Sequence, residues 1–228
     1  MKLRAWKDLP KEMKNDAVKP YYMHLYKKRM SLCVKRIFDI CASIFGLILL
    51  SPVFLVISVK IKLDSKGPIL FKQIRVTQFG KEFKIYKFRT MVEDAEKLGS
   101  QVTTKGDMRV TKVGKTLRKY RLDEISQLIN ILKGEMTFVG TRPEVPKYVE
   151  KYTDEMYATL LLPAGVTSMT SIEFKDEEKL MEDAENADET YVEKVLPEKM
   201  KWNLKAIREF SFWNEIRTML KTVIAVMR

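Results

Sequence analysis

Between Ile40 and Val59 the chain carries twenty consecutive residues without a charge, ICASIFGLILLSPVFLVISV. A helix of that length covers about 30 Å, the depth of a bilayer's hydrocarbon. The segment lies too far into the chain for a cleavable signal and has no small-residue cleavage site. A fully apolar twenty-mer buried in a soluble core would be unusual in a chain of 228 residues. Ser51-Pro52 stands just past its middle, where proline removes a backbone hydrogen bond and collides with the carbonyl of Ile48. The Ser51 hydroxyl is available to a carbonyl freed in this way. Both flanks are basic: Lys27, Lys28, Arg29, Lys35 and Arg36 come before, and Lys60, Lys62, Lys66, Lys72 and Arg75 after. Positive flanks favour the cytosolic side, and a straight span cannot put both ends there. A kinked helix over residues 35–62 that enters one leaflet and returns satisfies both observations. A re-entrant, monotopic anchor is therefore expected, with an ordinary span as the alternative.

The net charge of +12 is unevenly spread. Residues 1–121 hold 28 Lys/Arg against 10 Asp/Glu, and residues 122–228 hold 14 against 20. Such a basic half suits an anionic partner: acidic lipid, nucleic acid or a phosphorylated small molecule. The single histidine, His24, and the two cysteines exclude a His/Cys zinc site, a Ser-His-Asp triad and a disulfide scaffold. Cys33 and Cys41 would lie about 12 Å apart along a helix, too far for a bridge. Catalysis must use carboxylates, hydroxyls, Lys or Arg, alone or with a hard cation.

The pattern predicts a predominantly α protein with a small β-hairpin: a monotopic membrane protein whose anchor carries a cytosolic catalytic domain over residues 63–228. Residues 1–34 form a basic N-terminal extension, with Trp6, Tyr21, Tyr22 and Tyr26 as candidate interfacial aromatics. ILFKQIRV and EFKIYKF alternate apolar and polar residues around Gly80-Lys81, as a hairpin does. Residues 91–98 read as a short helix ended by Gly99. Leu122 to Lys133 places Leu122, Ile125, Leu128, Ile129 and Leu132 on one helical face, with Gly134 as the stop. Residues 173–198 are acidic and read as a solvated helical excursion. From Trp213 to Arg228 apolar residues recur at helical spacing, which fits an interfacial C-terminal helix or one packed on the core.

Gly106 to Thr116 ends in Gly-Lys-Thr but has Arg109 where a phosphate loop needs glycine, so it is not a nucleotide-triphosphate loop. The run Arg109, Lys112, Lys115, Arg118, Lys119 and Arg121 is followed by Asp123-Glu124 at a helix start. Acids there are ordinarily caps. Beside a cationic cluster, however, a helix start attracts phosphates, and a carboxylate there can bind Mg²⁺ or attack phosphorus. Val139-Gly140-Thr141-Arg142-Pro143 adds a Gly turn presenting an arginine, a second natural phosphate clamp.

The succession KRIFDI, Ser51-Pro52, GPILFKQIRV, GKEFKIYKFRTM, DMRVTKVGKTLRKYRLDEISQLINILKGEMTFVGTRPE and PAGVTS resembles the bacterial sugar transferases, monotopic phosphoglycosyl transferases acting on polyprenyl phosphate. The resemblance covers about residues 31–228. It implies a bacterial enzyme on the cytosolic face of the inner membrane that moves a sugar-1-phosphate from a UDP-sugar to undecaprenyl phosphate and releases UMP. It implies a ping-pong course in which Asp123 becomes the phosphosugar carrier, Glu124 completes the dyad, and Mg²⁺ contacts Asp123. Lys87, Arg89, Arg118, Gln127 and Arg142 match positions around the donor phosphates, and Ser51-Pro52 matches the kink of the anchor. Ser126, Thr141 and Ser168 depart from the usual Pro, Pro and Gly, none of which is charged or nucleophilic. Membrane lipids are an implied partner, and a homodimer is compatible with the resemblance. A non-catalytic basic adaptor on anionic lipid is the competing class. A nucleic-acid binder could use Phe83, Tyr86, Phe88 and Tyr120 among the cations, but gives the apolar twenty-mer no role, so no nucleic acid is expected.

Overall fold

The apolar segment breaks where its proline sits. In the computed structural model, which describes residues 1–95, 107–174 and 187–227, α1 (Lys19–Lys27) leads into α2 (Arg29–Leu49) and α3 (Ser51–Asp64). The last two meet at 61°. Pro52 has no N–H for the Ile48 carbonyl, and the Ser51 hydroxyl donates to that carbonyl instead, over 2.8 Å. Proline sets the bend and serine satisfies it. Among the described residues no single helix is long and apolar enough to cross a membrane; α2 and α3 pass that test only together.

Burial along this pair runs opposite to that of a helix in water. α2 buries Leu32, Lys35, Asp39 and Ser43, and exposes Val34, Ile37, Phe45 and Ile48. α3 buries Ile57 and Ile61 while Leu55, Val59 and Leu63 face outward. Two flanking cations are also spent inside. Lys35 is 2% exposed, and Arg36 donates to the carbonyls of Ile131 and Leu132 at the end of α5 (Leu128–Lys133).

The hairpin forms as its alternation predicts, β1 (Leu70–Val76) antiparallel to β2 (Glu82–Phe88). A second pair, β3 (Met136–Val139) parallel to β4 (Ala164–Thr167), has no counterpart in the sequence reading, because four-residue strands show no resolvable period. Where these strands end, backbone meets backbone: a Cβ on Gly165 would lie 2.2 Å from the Gly140 nitrogen. Only glycine allows that approach.

The helical remainder comprises α4 (Lys112–Lys119), α6 (Pro146–Val149), α7 (Met169–Glu173), α8 (Ala187–Thr190), α9 (Leu196–Arg208) and α10 (Phe212–Met227). The largest core joins Leu9, Met13, Val18 and Leu25 to Leu161 and to Leu196 and Met200 of α9. Residues 1–34 are thus woven into the domain. Tyr21 and Tyr22 are core side chains rather than interfacial aromatics, and Tyr26 alone of the three tyrosines is exposed. Under the hairpin a smaller cluster gathers Phe83, Ile85, Ile131 and Met136. A third, of Ile57, Ile61, Phe88 and Leu117, fastens α3 to β2 and α4. Full burial of one such side chain stabilises by about 1.5–3 kcal/mol, so this patch is a firm seat.

Two local readings change. Residues 91–94 form an isolated bridge from Met91 to Val110 and a turn rather than a helix, Ala95 is in 3₁₀ conformation, and 96–98 lie outside the described residues. The helix expected from Leu122 begins as a 3₁₀ turn over Leu122–Gln127, becomes α5, and stops at left-handed Gly134. Its buried face is Ser126, Gln127, Asn130 and Ile131; Leu132 is exposed, and Leu122 and Ile125 half-pack on the α3 cluster. The period found the helix but not its inner face. In the acidic stretch, residues 175–186 lie outside the described residues and 187–198 are helical. α10 buries Glu215 and Thr218 and exposes Trp213, Leu220, Val223 and Ile224.

Candidate active site

Asp123 and Glu124 sit in the 3₁₀ turn that follows Arg121, whose φ of 53° is left-handed. A non-glycine residue there costs on the order of 1–3 kcal/mol, and such strain collects at functional turns. The turn packs on β2, where the Ser126 hydroxyl donates to the Tyr86 carbonyl over 3.0 Å. β2 in turn carries Lys87 to the dyad. Its ammonium meets Glu124 Oε1 at 2.8 Å, and Arg142 Nη2 reaches the same oxygen at 2.6 Å. Two cations from separate elements therefore converge on one carboxylate. Asp123 beside it is half-buried, and its carboxylate takes no hydrogen bond or ion pair from another side chain among the described residues.

The two acids are driven apart electrostatically. Burial pushes the Asp123 carboxyl up, against the pull of Lys87 and Arg118, and the Glu124 charge adds to the rise. Burial is also the largest single influence on Glu124, but the combined attraction and hydrogen bonds of Arg142 and Lys87 overcome it and hold the group well below the usual carboxylate range. One carboxylate is locked as an anion; its neighbour, though drawn on by Lys87 and Arg118, is left above its ordinary value by burial. Divergent pairs of this kind mark acid, base and nucleophile assignments.

The remaining sequence candidates divide. Arg118 is half-buried near Asp123 and donates to the Thr90 hydroxyl over 2.9 Å. Arg89 is 5% exposed and points at the end of α3, donating to the carbonyls of Ser65 (2.7 Å) and Lys66 (2.6 Å). Its hydrogen bonds belong to the end of α3 rather than to the Asp123-Glu124 pair. Gln127 is buried directly behind the turn, and neither amide atom has a partner. Ser51 and Pro52 form the bend. Sequence reasoning missed what holds Arg142 in place. Half-buried Arg75 donates to the Pro143 carbonyl over 3.1 Å and to Gln73. Lys35 and Asp39 hold β3, which leads into Arg142. Charges at the edge of an otherwise apolar helix are the available signal: the sequence reading counts Lys35 as a flank and gives Asp39 no role.

No group of three metal-ligating side chains exists among the described residues. A resident metal cage is thus absent from them, but Mg²⁺ is usually held by one or two carboxylates together with substrate phosphates. Asp123 fits that arrangement.

Against known proteins, residues 30–228 match the family described as bacterial sugar transferase. A UDP-N-acetylgalactosamine-undecaprenyl-phosphate N-acetylgalactosaminephosphotransferase of Aeromonas hydrophila is 36% identical over 198 residues, 85% of this chain and 44% of that protein. A UDP-glucose:undecaprenyl-phosphate glucose-1-phosphate transferase of Klebsiella pneumoniae is 35% identical over 200 residues, 85% of this chain and 40% of that one. A putative undecaprenyl-phosphate N-acetylgalactosaminyl 1-phosphate transferase of Bacillus subtilis is 44% identical over 125 residues, 55% of this chain and 70% of its own length. The chain spans less than half the length of the Aeromonas and Klebsiella relatives. With its dyad, its converging cations and this match over most of its length, the chain belongs to the bacterial sugar transferase family.

Proposed function

We propose that the protein transfers a sugar-1-phosphate from a UDP-sugar to undecaprenyl phosphate at the cytosolic face of a bacterial inner membrane. The observation that carries this reading is the pairing of a locked anion, Glu124, with Asp123 beside it under Lys87 and Arg142. An Asp123 carboxylate oxygen attacks the β-phosphorus of the donor, the bond to the bridging oxygen breaks, and UMP departs. The sugar phosphate remains on Asp123 as an acyl phosphate. An oxygen of the polyprenyl phosphate then attacks that phosphorus, and the Asp123 carboxylate is released. Lys87 and Arg142 shift from Glu124 toward the phosphate oxygens as negative charge builds there, and Glu124 holds them ready. Mg²⁺, held by Asp123 and the diphosphate, would supply charge neutralisation. The α2–α3 pair is bent and apolar on its outer side, which supports an anchor that would hold the pair of acids at headgroup depth, where the lipid phosphate lies. Relatives named for N-acetylgalactosamine and glucose leave several sugars to be tried.

The test is UMP release by protein in lipid with Mg²⁺, undecaprenyl phosphate and a panel of UDP-sugars. One donor should support release, and Asp123→Asn should bind it yet retain no radiolabelled sugar phosphate. Label on the Asn variant would overturn the nucleophile assignment.

A further inference from the structure

The buried face of α2 is polar. Lys35, Asp39 and Ser43 recur every four residues at 2%, 1% and 0% exposure, while the apolar side chains Val34, Ile37 and Phe45 face outward. This face grips the backbone and side chains of β3. Lys35 Nζ donates to the Val139 carbonyl over 2.9 Å, and the Thr137 hydroxyl donates to Asp39 Oδ2 over 2.7 Å. The Phe138 amide lies 3.4 Å from Asp39 Oδ1. Lys35 is also ion-paired with Glu215 of α10.

An apolar stripe would have docked the two elements at least as stably, since replacing buried ion pairs by packed apolar groups is often neutral or favourable. What directional bonds add is a fixed register between helix and strand. That register matters because β3 runs straight into the turn that carries Arg142. Gly140 is wedged against Gly165; its amide donates to Thr167, and the Thr141 carbonyl accepts from Gly165 over 2.8 Å. No slack remains before Arg142, which reaches Glu124 at 2.6 Å. Displacement of a reacting group by about 1 Å can cost 10²-fold in rate.

We propose that Lys35 and Asp39 are positioning residues, through which the seating of the membrane anchor sets Arg142 against Glu124. This rests on the transferase reading for its kinetic arm only. The kinetic arm is a double-mutant cycle on the full chain in phosphatidylglycerol-containing nanodiscs, following UMP release for the wild type, Asp39→Asn, Arg142→Ala and the double variant. If Asp39 acts through Arg142, the single change lowers kcat about 10–100-fold and the double variant is no slower than Arg142→Ala alone. Losses that multiply would overturn the proposal. Lys35→Arg should restore most of the rate lost in Lys35→Met. Thr137→Val, close to isosteric, replaces Asp39→Asn in the cycle should that variant fail to fold.

The second arm needs no turnover. Hydrogen exchange over residues 136–142 should quicken in Asp39→Asn or Thr137→Val while α9 keeps its wild-type protection. Unchanged exchange at 136–142 would sink the proposal even if the wild type released no UMP, an outcome that would separately sink the transferase reading.

Discussion

Arg142 and Glu124 meet at 2.6 Å although one follows a strand and the other sits in a 3₁₀ turn. Lys87 shares the same carboxylate oxygen, so Glu124 is the common post on which both cations are held.

Glu124→Gln should therefore cut the rate without unfolding the protein. The neutral amide lets both cations drift, and loss of aimed charge stabilisation is worth about 10²–10³ in kcat. Because Glu124 is largely buried and takes charged hydrogen bonds from Lys87 and Arg142, the stability cost should be about 1.5–3 kcal/mol. Steady-state kinetics beside a thermal melt checks both; a collapse of Tm would show the post to be structural.

Lys87→Met should move the acidic limb of the pH–rate profile to higher pH. In the proposed mechanism Asp123 must be ionised to attack; burial already lifts its pKa, and Lys87 is the strongest influence pulling it back. Removing that cation raises the group further, so activity should fail sooner as pH falls. A limb that stays put or moves down would detach Asp123 from the rate.

Arg89→Leu should damage the fold and spare the donor site. Its guanidinium caps carbonyls of Ser65 and Lys66 at the end of α3, and charged hydrogen bonds contribute about 1.5–3 kcal/mol each. A loss of about 3 kcal/mol lowers Tm by roughly 6–12 °C in a chain of this size. The KM for the UDP-sugar should change less than about twofold. A large rise in KM at unchanged Tm would return Arg89 to the phosphates.

Glu215→Gln should flatten the pH dependence of stability. Burial lifts this carboxyl to about 7, and the pull of Lys35 does not cancel it. Between the ordinary glutamate pKa and that value the folded state binds more protons than the unfolded, so this group's contribution falls as pH rises through the window. The wild type should lose up to about 3 kcal/mol from this source between pH 5 and 8. A difference in slope between wild type and variant in melts across that range is the readout; equal slopes would refute it.

How much of this was legible in the chain depends on what each pattern measures. Alternation around Gly80 gave the hairpin, and Ser51-Pro52 gave the bend down to the Ile48 carbonyl, because both are local. The dyad and Arg142 stood out as charges in unusual settings. The inner faces of α2, α5 and α10 did not, because a helix that turns its apolar side outward reverses the rule by which a period is read. β3 and β4 were too short to show a period, and Arg121's left-handed backbone leaves no trace in composition.

The pairing of Lys35 with Glu215 spans 180 positions of sequence. At about 5–20 residues per second of synthesis, Lys35 emerges on the order of ten to forty seconds before its counter-ion exists. Throughout that interval Lys35 lacks the Glu215 carboxylate that faces it in the finished fold. A nascent chain stalled before residue 215 should therefore leave the buried face of α2 unclosed, and completion of α10 becomes the event that seals it.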